Sequence, residues 1–341
     1  MNIPDIKISL PKLKNDRKKL KWGVAGLGRY SDLTFIPALL LCRKSSLVSV
    51  FSRTPERAKA VAEKYAVLEN FSNYSEFLKS DIQAVYVGSA NNKHIEDVIK
   101  AAEAGKHILC EKPLALSSAE AEEMIRICEK NNVQLAVNYT QRFHPVTVKA
   151  KELIDAGFIG KIVSISANFN SYFPPDNNFR FTKKESGGGA LRDIGTHIID
   201  LLRFFGGEIN SIQGVCDNVI FNYEVDDYSA GIVNFKNGGH GVFTVSFNTK
   251  KAFNRIEILG HSGAICIENL ISNKHQPALL TLMHENEGKK VFKKRGNKLV
   301  HLIKALQVPF LNNTTPPITG YDGLINLRLM EELERRWTNL K

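Results

Sequence analysis

The sequence predicts an α/β protein with an N-terminal doubly wound parallel sheet, followed by an α/β domain with a large, mainly antiparallel open sheet. Three observations predict this. From residue 20 to about 140, short β-branched runs alternate with amphipathic helical patterns, the mark of βαβ units. Beyond residue 160 strand-like runs follow one another with little helix between them. The chain has 341 residues, enough for two sizeable cores.

"KWGVAG" reads as a strand and "DLTFIPALLLC" as a helix; "SLVSVFS" is followed by "PERAKAVAEKY". "AVYVGS" and "KHIEDVIKAAEAG" come next, then "HILC" and "SAEAEEMIRICEKN", and the series ends at "VQLAVNY". Thr54-Pro55-Glu56 supplies a cap, a proline at the first helical position and an early acid. Gly105 closes the helix that starts near His94. In the second half, "KIVSISANFNS", "INSIQGVCDNVIF", "VDDYSAGIVNF", "GHGVFTVSFNT", "NRIEILG" and "GAICIENL" read as strands. "FKNGGHG" carries the Asn-Gly of a hairpin. The division is a basic arm over 1–19, a parallel-sheet domain over 20–140 and a second domain over 141–341, with a closing helix at about 321–338.

Composition narrows the function. Hydrophobic residues make up 43% and charged residues 24%, ordinary for a soluble globular protein. No apolar run reaches the length of a membrane span and no secretory signal opens the chain, so a cytoplasmic location is expected, without a membrane partner. The formal charge of +11 is densest in "KLKNDRKKLK" and in "KKVFKKRGNK" at 289–298, read as a tail and as a surface hairpin or loop. Neither interleaves aromatic residues, so nucleic acid is not an expected partner. The five cysteines are scattered and no histidine pair has ligand spacing, so no metal is expected.

The strand ends carry the chemistry. Gly26 and Gly28, followed by Arg29 and Tyr30, fit the first two glycines of a dinucleotide turn, with Ser31 at the third position. The first permits the tight turn and the second lets a pyrophosphate approach backbone N–H groups at a helix start. After the second strand, Ser52-Arg53-Thr54 offers donors and a positive charge where an NAD site places an acid. NADP is therefore favoured over NAD. Further ends read Ser89-Ala90-Asn91, Glu111-Lys112-Pro113, and Asn138-Tyr139 leading into Arg142-Phe143-His144-Pro145. Because open α/β sheets bind ligands beyond the carboxyl ends of their strands, these sequences point at one crevice. Lys112 in that crevice is placed to hydrogen-bond a nicotinamide ribose and a substrate oxygen.

Residues 193–205 form a helix with an apolar stripe of Ile194, Ile198, Leu201, Leu202 and Phe205. Asp193, His197 and Asp200 share a line at the margin of that stripe, where a cleft would lie. Three glycines, 187–189, precede them. Asp200 reads as a supporting partner of His197.

The chain resembles the Gfo/Idh/MocA family of NAD(P)-dependent oxidoreductases. The matching residues are "GVAGLG", "GKHILCEKP", "RFHP", "ELIDAGFIGKI", "GGGALRDIGTHIIDLL", "VDDYSAGIVNF" and "GYDGLINLRLMEE", in family order from about 20 to 335. The resemblance implies a Rossmann domain, then a domain whose open sheet often forms the oligomer interface. It also implies that Lys112, Asp193 and His197 match the family's catalytic lysine, aspartate and histidine. Gly26, Gly28, Arg29, Tyr30, Ser52, Arg53, Thr54, Ser89, Asn91, His94, Glu111, Lys112 and Arg142 are the cofactor-binding candidates. Ser89-Ala90-Asn91 departs from the family's Thr-Pro-Asn. The expected function is hydride transfer between NADP(H), or NAD(H), and a hydroxyl or carbonyl carbon of a sugar or polyol. His197 is the expected acid/base, since an unperturbed imidazole titrates near working pH. A homodimer or homotetramer is expected. The alternatives are a nicotinamide-dependent glycoside hydrolase, told apart by aglycone release without reductant, and a non-catalytic nucleotide-binding regulator. The loop at residues 170–181, "NSYFPPDNNFRF", is a candidate cover for the site.

Overall fold

A computed structural model describes residues 19–271 and 277–338. The basic arm, apart from Lys19, lies outside them.

The N-terminal sheet has six parallel strands: β1 Leu20–Ala25, β2 Ser45–Phe51, β3 Glu69–Phe71, β4 Ala84–Val87, β5 His107–Cys110 and β6 Leu135–Val137. Their order is β3-β2-β1-β4-β5-β6, so the chain reverses direction across the sheet between β1 and β4. That reversal opens a crevice at the carboxyl ends. The inner strands are buried on both faces, and β4 reads Ala-Val-Tyr-Val with all four residues buried. Trp22, Phe35 and Tyr86 fill the core, with the Phe35 and Tyr86 rings stacked 3.6 Å apart. Strand β3 did not figure in the sequence reading; its three residues are largely exposed and carry no apolar alternation.

The second sheet has eight strands: β7 Ile162–Asn170, β8 Ile209–Asp217, β9 Tyr228–Phe235, β10 His240–Ser246, β11 Arg255–Gly260, β12 Gly263–Glu268, β13 Ala278–His284 and β14 Gly288–Lys294. Their order is β14-β13-β12-β11-β7-β10-β9-β8, antiparallel except for the β7–β10 pair. The Asn237-Gly238-Gly239 turn joins β9 to β10, with both glycines at positive φ. One face of the sheet packs on the helices Pro145–Asp155, Thr196–Gly206 and Gly320–Thr338. The other face carries the exposed Ile232, Val242, Leu259, Met283 and Val291.

The segment 289–298, expected as a surface hairpin or loop, is the largely exposed outer arm β14 of a hairpin with β13, followed by the start of a helix, Lys298–Asn312. Asn297 caps that helix by accepting the Val300 N–H at 3.2 Å. Leu299, Leu302, Ile303, Leu306 and Phe310 are its buried side. The closing helix runs Gly320–Thr338.

Candidate active site

A cleft of about 1210 Å³ opens at the carboxyl ends of the parallel strands, bounded on its far side by the second sheet and its helix. Gly26 and Gly28 line it at the end of β1. Gly26 has φ +84°, and a Cβ there would sit 2.5 Å from the Ser89 backbone nitrogen. At Gly28 a Cβ would meet nothing within 4 Å, so the turn presents open backbone to a ligand. Ser31 donates its hydroxyl to the Gly26 carbonyl at 2.6 Å, so the serine at the third motif position ties the turn to the helix it opens. That open turn at the start of a helix fits a dinucleotide pyrophosphate.

Arg29, Tyr30, Ser52, Arg53, Ser89, Asn91, Glu111 and Lys112 also line the cleft. Arg53 is half exposed and pairs with buried Asp97 at 3.0 Å. Asn91 crosses to the second domain, donating to the Ser186 carbonyl at 3.0 Å. Glu111 accepts from the Tyr86 hydroxyl at 2.7 Å and from the Asn138 amide.

Three cofactor candidates lie outside the cleft lining. Thr54 stands at the cap position of the helix Pro55–Tyr65 and gives its backbone N–H to Ser52 Oγ at 3.2 Å. His94 is fully buried, with Nδ1 3.0 Å from the Pro113 carbonyl and Nε2 3.1 Å from the Ser89 carbonyl. It ties the end of β4 to the Lys112–Pro113 turn, whose peptide bond is cis. Arg142 is held away from the crevice by a bidentate pair with Asp200, at 2.9 and 2.6 Å, and by Asp322 at 2.9 Å. Its guanidinium is therefore committed to carboxylates within the protein.

The opposing wall is the helix behind the glycines. It begins with a π turn over Leu191–Gly195 and continues as α-helix over Thr196–Gly206. Buried Asp226 fixes its start, accepting the N–H groups of Gly189 at 2.7 Å and Leu191 at 2.8 Å. Its own carbonyl accepts the Ala190 N–H at 2.9 Å. A Cβ at Gly189 would fall 1.9 Å from that carbonyl oxygen. The close approach that needs glycine here is to Asp226, while Gly188 is the glycine of the three that faces the cleft.

This start delivers Asp193 and His197 into the cleft. Lys112 reaches across from the other domain, donating to the Asp193 carboxylate and, at 2.8 Å, to its main-chain carbonyl. Arg180 approaches the same carboxylate at 3.5 Å. Burial raises the Asp193 pKa, but Lys112 and Arg180 outweigh it and hold the carboxyl down at about 2. Burial, reinforced by Lys112 and Lys298, pushes the His197 imidazole well below its ordinary value, against the pull of Asp193. His197 is thus neutral at pH 7, not poised for titration there. Its Nδ1 is sealed from solvent without a partner among the described residues, and its ring stands edge-on to Tyr139 at 6.1 Å.

Asp200 does not support His197. It is fully buried and faces Arg142 and the Asn326 amide, 3.2 Å away. The 170–181 loop does border the cleft, through Ser171, Phe173, Asp176, Asn178, Phe179 and Arg180. Gln141 and Lys298, neither singled out from the sequence, also line the cleft. Asp226 lay inside a quoted motif without a role.

Among the described residues no helix is long and apolar enough to cross a membrane, and no three His, Cys, Asp or Glu side chains form a group that could hold a metal.

Two family descriptions match the chain. "Oxidoreductase family, NAD-binding Rossmann fold" covers residues 20–139, and "GFO/IDH/MocA C-terminal domain" covers 147–266. The 1,5-anhydro-D-fructose reductase of Ensifer adhaerens is 28% identical over 90% of this chain and 93% of its own. The D-xylose 1-dehydrogenase (NADP(+)) 2 of Haloferax volcanii is 30% identical over 67% of this chain and 68% of its own. The aldose-aldose oxidoreductase of Caulobacter crescentus, solved with glycerol, superposes with a TM-score of 0.87 at 25% identity, over 95% of this chain and 99% of that one.

Proposed function

The chain belongs to the Gfo/Idh/MocA family of oxidoreductases and carries its NAD(P)-binding Rossmann domain, and from that premise we propose NADP(H)-dependent oxidation or reduction at a hydroxyl or carbonyl carbon of a sugar or polyol. The observation that carries this reading is the meeting of Lys112, Asp193 and His197 in one cleft that also contains the open Gly28 turn. The named activities of the anhydrofructose reductase and the xylose dehydrogenase support the substrate class.

When bound, the nicotinamide supplies or accepts the hydride. The protein must hold the reacting oxygen and move one proton. The Lys112 ammonium, oriented by Asp193, hydrogen-bonds the reacting oxygen and stabilises negative charge as it develops there. Asp193, ionised far below neutral pH, keeps that ammonium aimed. Neutral His197 is a base for the substrate hydroxyl in the oxidative direction, its imidazole ready to accept without first losing a proton. In the reductive direction the same imidazole, having taken up a proton, returns it to the oxygen that Lys112 holds.

Arg53 and Ser52 at the end of β2, with no acid between 52 and 54, support NADP over NAD. The apolar outer face of the eight-stranded sheet supports a homodimer or homotetramer, and we place the protein in the cytoplasm. The test is a fluorescence titration with NADPH and NADH, followed by a sugar and polyol panel read by nicotinamide absorbance. NADPH should bind more tightly, and Lys112→Met should lower kcat by about 10²- to 10⁴-fold while still binding NADPH. Tighter NADH binding refutes the Arg53 reading, and near-normal turnover in Lys112→Met refutes the catalytic assignment.

A further inference from the structure

Lys298 is the first residue of its helix, and its side chain enters the cleft beside Gln141 and His197. Its Nζ donates to Gln141 Oε1 at 2.9 Å, and Gln141 is itself almost fully buried. Among the described residues no carboxylate pairs with this ammonium. An ammonium has three donors, so further N–H groups remain for a ligand. A buried charge without a counter-ion is costly, and proteins ordinarily pair it or neutralise it. Burial does lower the Lys298 pKa, but only to about 8, so the group stays largely charged at neutral pH.

The surroundings add no compensation. His197 and His144 face Lys298 as neutral imidazoles, both held below their ordinary pKa by burial and by the lysine itself. At this end of the cleft Lys112 and Arg180 share one carboxylate, Asp193. Of the other lining acids, Glu111 is engaged by Tyr86 and Asn138. Asp176 accepts the Asn178 N–H of its own loop at 2.8 Å. Three cations, Lys112, Arg180 and Lys298, therefore line this part of the cleft against one carboxylate, Asp193. The pyrophosphate cradle is elsewhere, at the end of β1, whereas Gln141 follows β6 at the sheet's far edge. The missing counter-charge has to arrive with the second ligand.

We propose that the substrate of this cleft carries an anionic substituent, a carboxylate or a phosphate, and that Lys298 with Gln141 binds it. This rests on the oxidoreductase reading above and narrows its substrate class. Asp193 and His197 then face the reacting hydroxyl, while Lys298 fixes the other end of the molecule and so selects for charge.

The experiment uses matched probes: D-glucuronate against D-glucose, D-gluconate against sorbitol, and D-glucose 6-phosphate as the phosphate arm. Binding to the NADPH-loaded full-length protein is measured by calorimetry, and oxidation with NADP⁺ by absorbance. An anionic member should bind about 10- to 100-fold more tightly than its neutral partner, the worth of a hydrogen bond to a charged group. The better of the carboxylate and phosphate arms identifies the substituent. In Lys298→Met and Lys298→Gln the ratio should collapse towards one, and Lys298→Arg should retain most of it. NADPH fluorescence checks that each variant is folded. Equal binding of both members, or a preference that survives Lys298→Met, overturns the proposal. Oxidation without charge preference overturns it while leaving the oxidoreductase reading intact. Lys298-dependent anion binding with no oxidation of any probe does the reverse.

Discussion

Arg142 offers the sharpest separation between a cofactor-binding residue and a structural one. Its side chain is 11% exposed and that of Asp200 is 1% exposed, and two parallel N–H···O bonds join them. Burial works against the charged guanidinium, but Asp200 and Asp322 outweigh it and raise the Arg142 pKa. In Arg142→Met, Asp200 keeps only the Asn326 amide at 3.2 Å, an uncompensated buried carboxylate. Breaking a buried pair from one side costs about 3–5 kcal/mol. With an unfolding entropy of about 2.1 cal/mol/K per residue over 341 residues, this lowers Tm by roughly 4–7 °C. The companion variant Arg142→Met/Asp200→Asn removes the stranded charge and should recover a substantial part of the loss. Arg142→Lys should fall between, because an ammonium cannot reproduce the planar fork. Calorimetric melting supplies the Tm values, and NADPH fluorescence titration at a temperature where every variant is folded supplies Kd. The structural reading requires a Tm loss with Kd changed by less than about twofold. A wild-type Tm with NADPH bound about tenfold more weakly, a loss of roughly 1.4 kcal/mol, would refute it.

Other outcomes follow from the same geometry. His144 is buried, its pKa pushed down to about 4 first by burial and then by Lys298 and His301. Between that value and the unfolded imidazole's ordinary one, the unfolded chain binds the extra proton. Stability from this group is therefore complete above about pH 6.5 and is lost as pH falls towards 4. Tm measured across that window should drop, and His144→Asn, which keeps a cap on the Val146 N–H, should flatten the drop; an unchanged slope would count against it. Gly189→Ala places a Cβ 1.9 Å from the Asp226 carbonyl and should unseat the helix start, with little folded protein recovered; a well-folded, active variant would show that the close approach is not required. With His197 neutral, kcat/KM for oxidation should show no inflection near pH 6.5, and an imidazole-like limb there would contradict the burial argument.

Much of this molecule is legible one strand at a time. β-Branched runs and helical periodicity are local properties, so five of the six parallel strands and four helices of that domain can be read directly, while the short helix Tyr74–Lys79 escapes that reading. Where the local pattern is absent, the reading fails for a physical reason. Strand β3 has three mostly exposed residues and owes its existence to β2 beside it. The helix Lys298–Asn312 begins inside a basic run whose charge suggests solvent, yet the Asn297 cap and the apolar residues behind it turn the first lysine into the cleft.

The polar residues at the strand ends divide less readily, because type and position do not say which way a side chain points. Asn91 and His94 are three residues apart; one lines the cleft while the other fastens two loops beneath it. Asp193 and Asp200 share a helix, but their partners differ. Lys112 comes from the carboxyl end of β5 and draws Asp193 into the crevice, whereas Arg142 and Asn326 turn Asp200 into the interior. These partners lie 58 to 126 positions away in sequence, so no window along the chain contains both members. The helix thus presents two aspartates of one chemical type. What makes one a candidate for catalysis and the other a structural anchor is the cation that each fold contact brings to it.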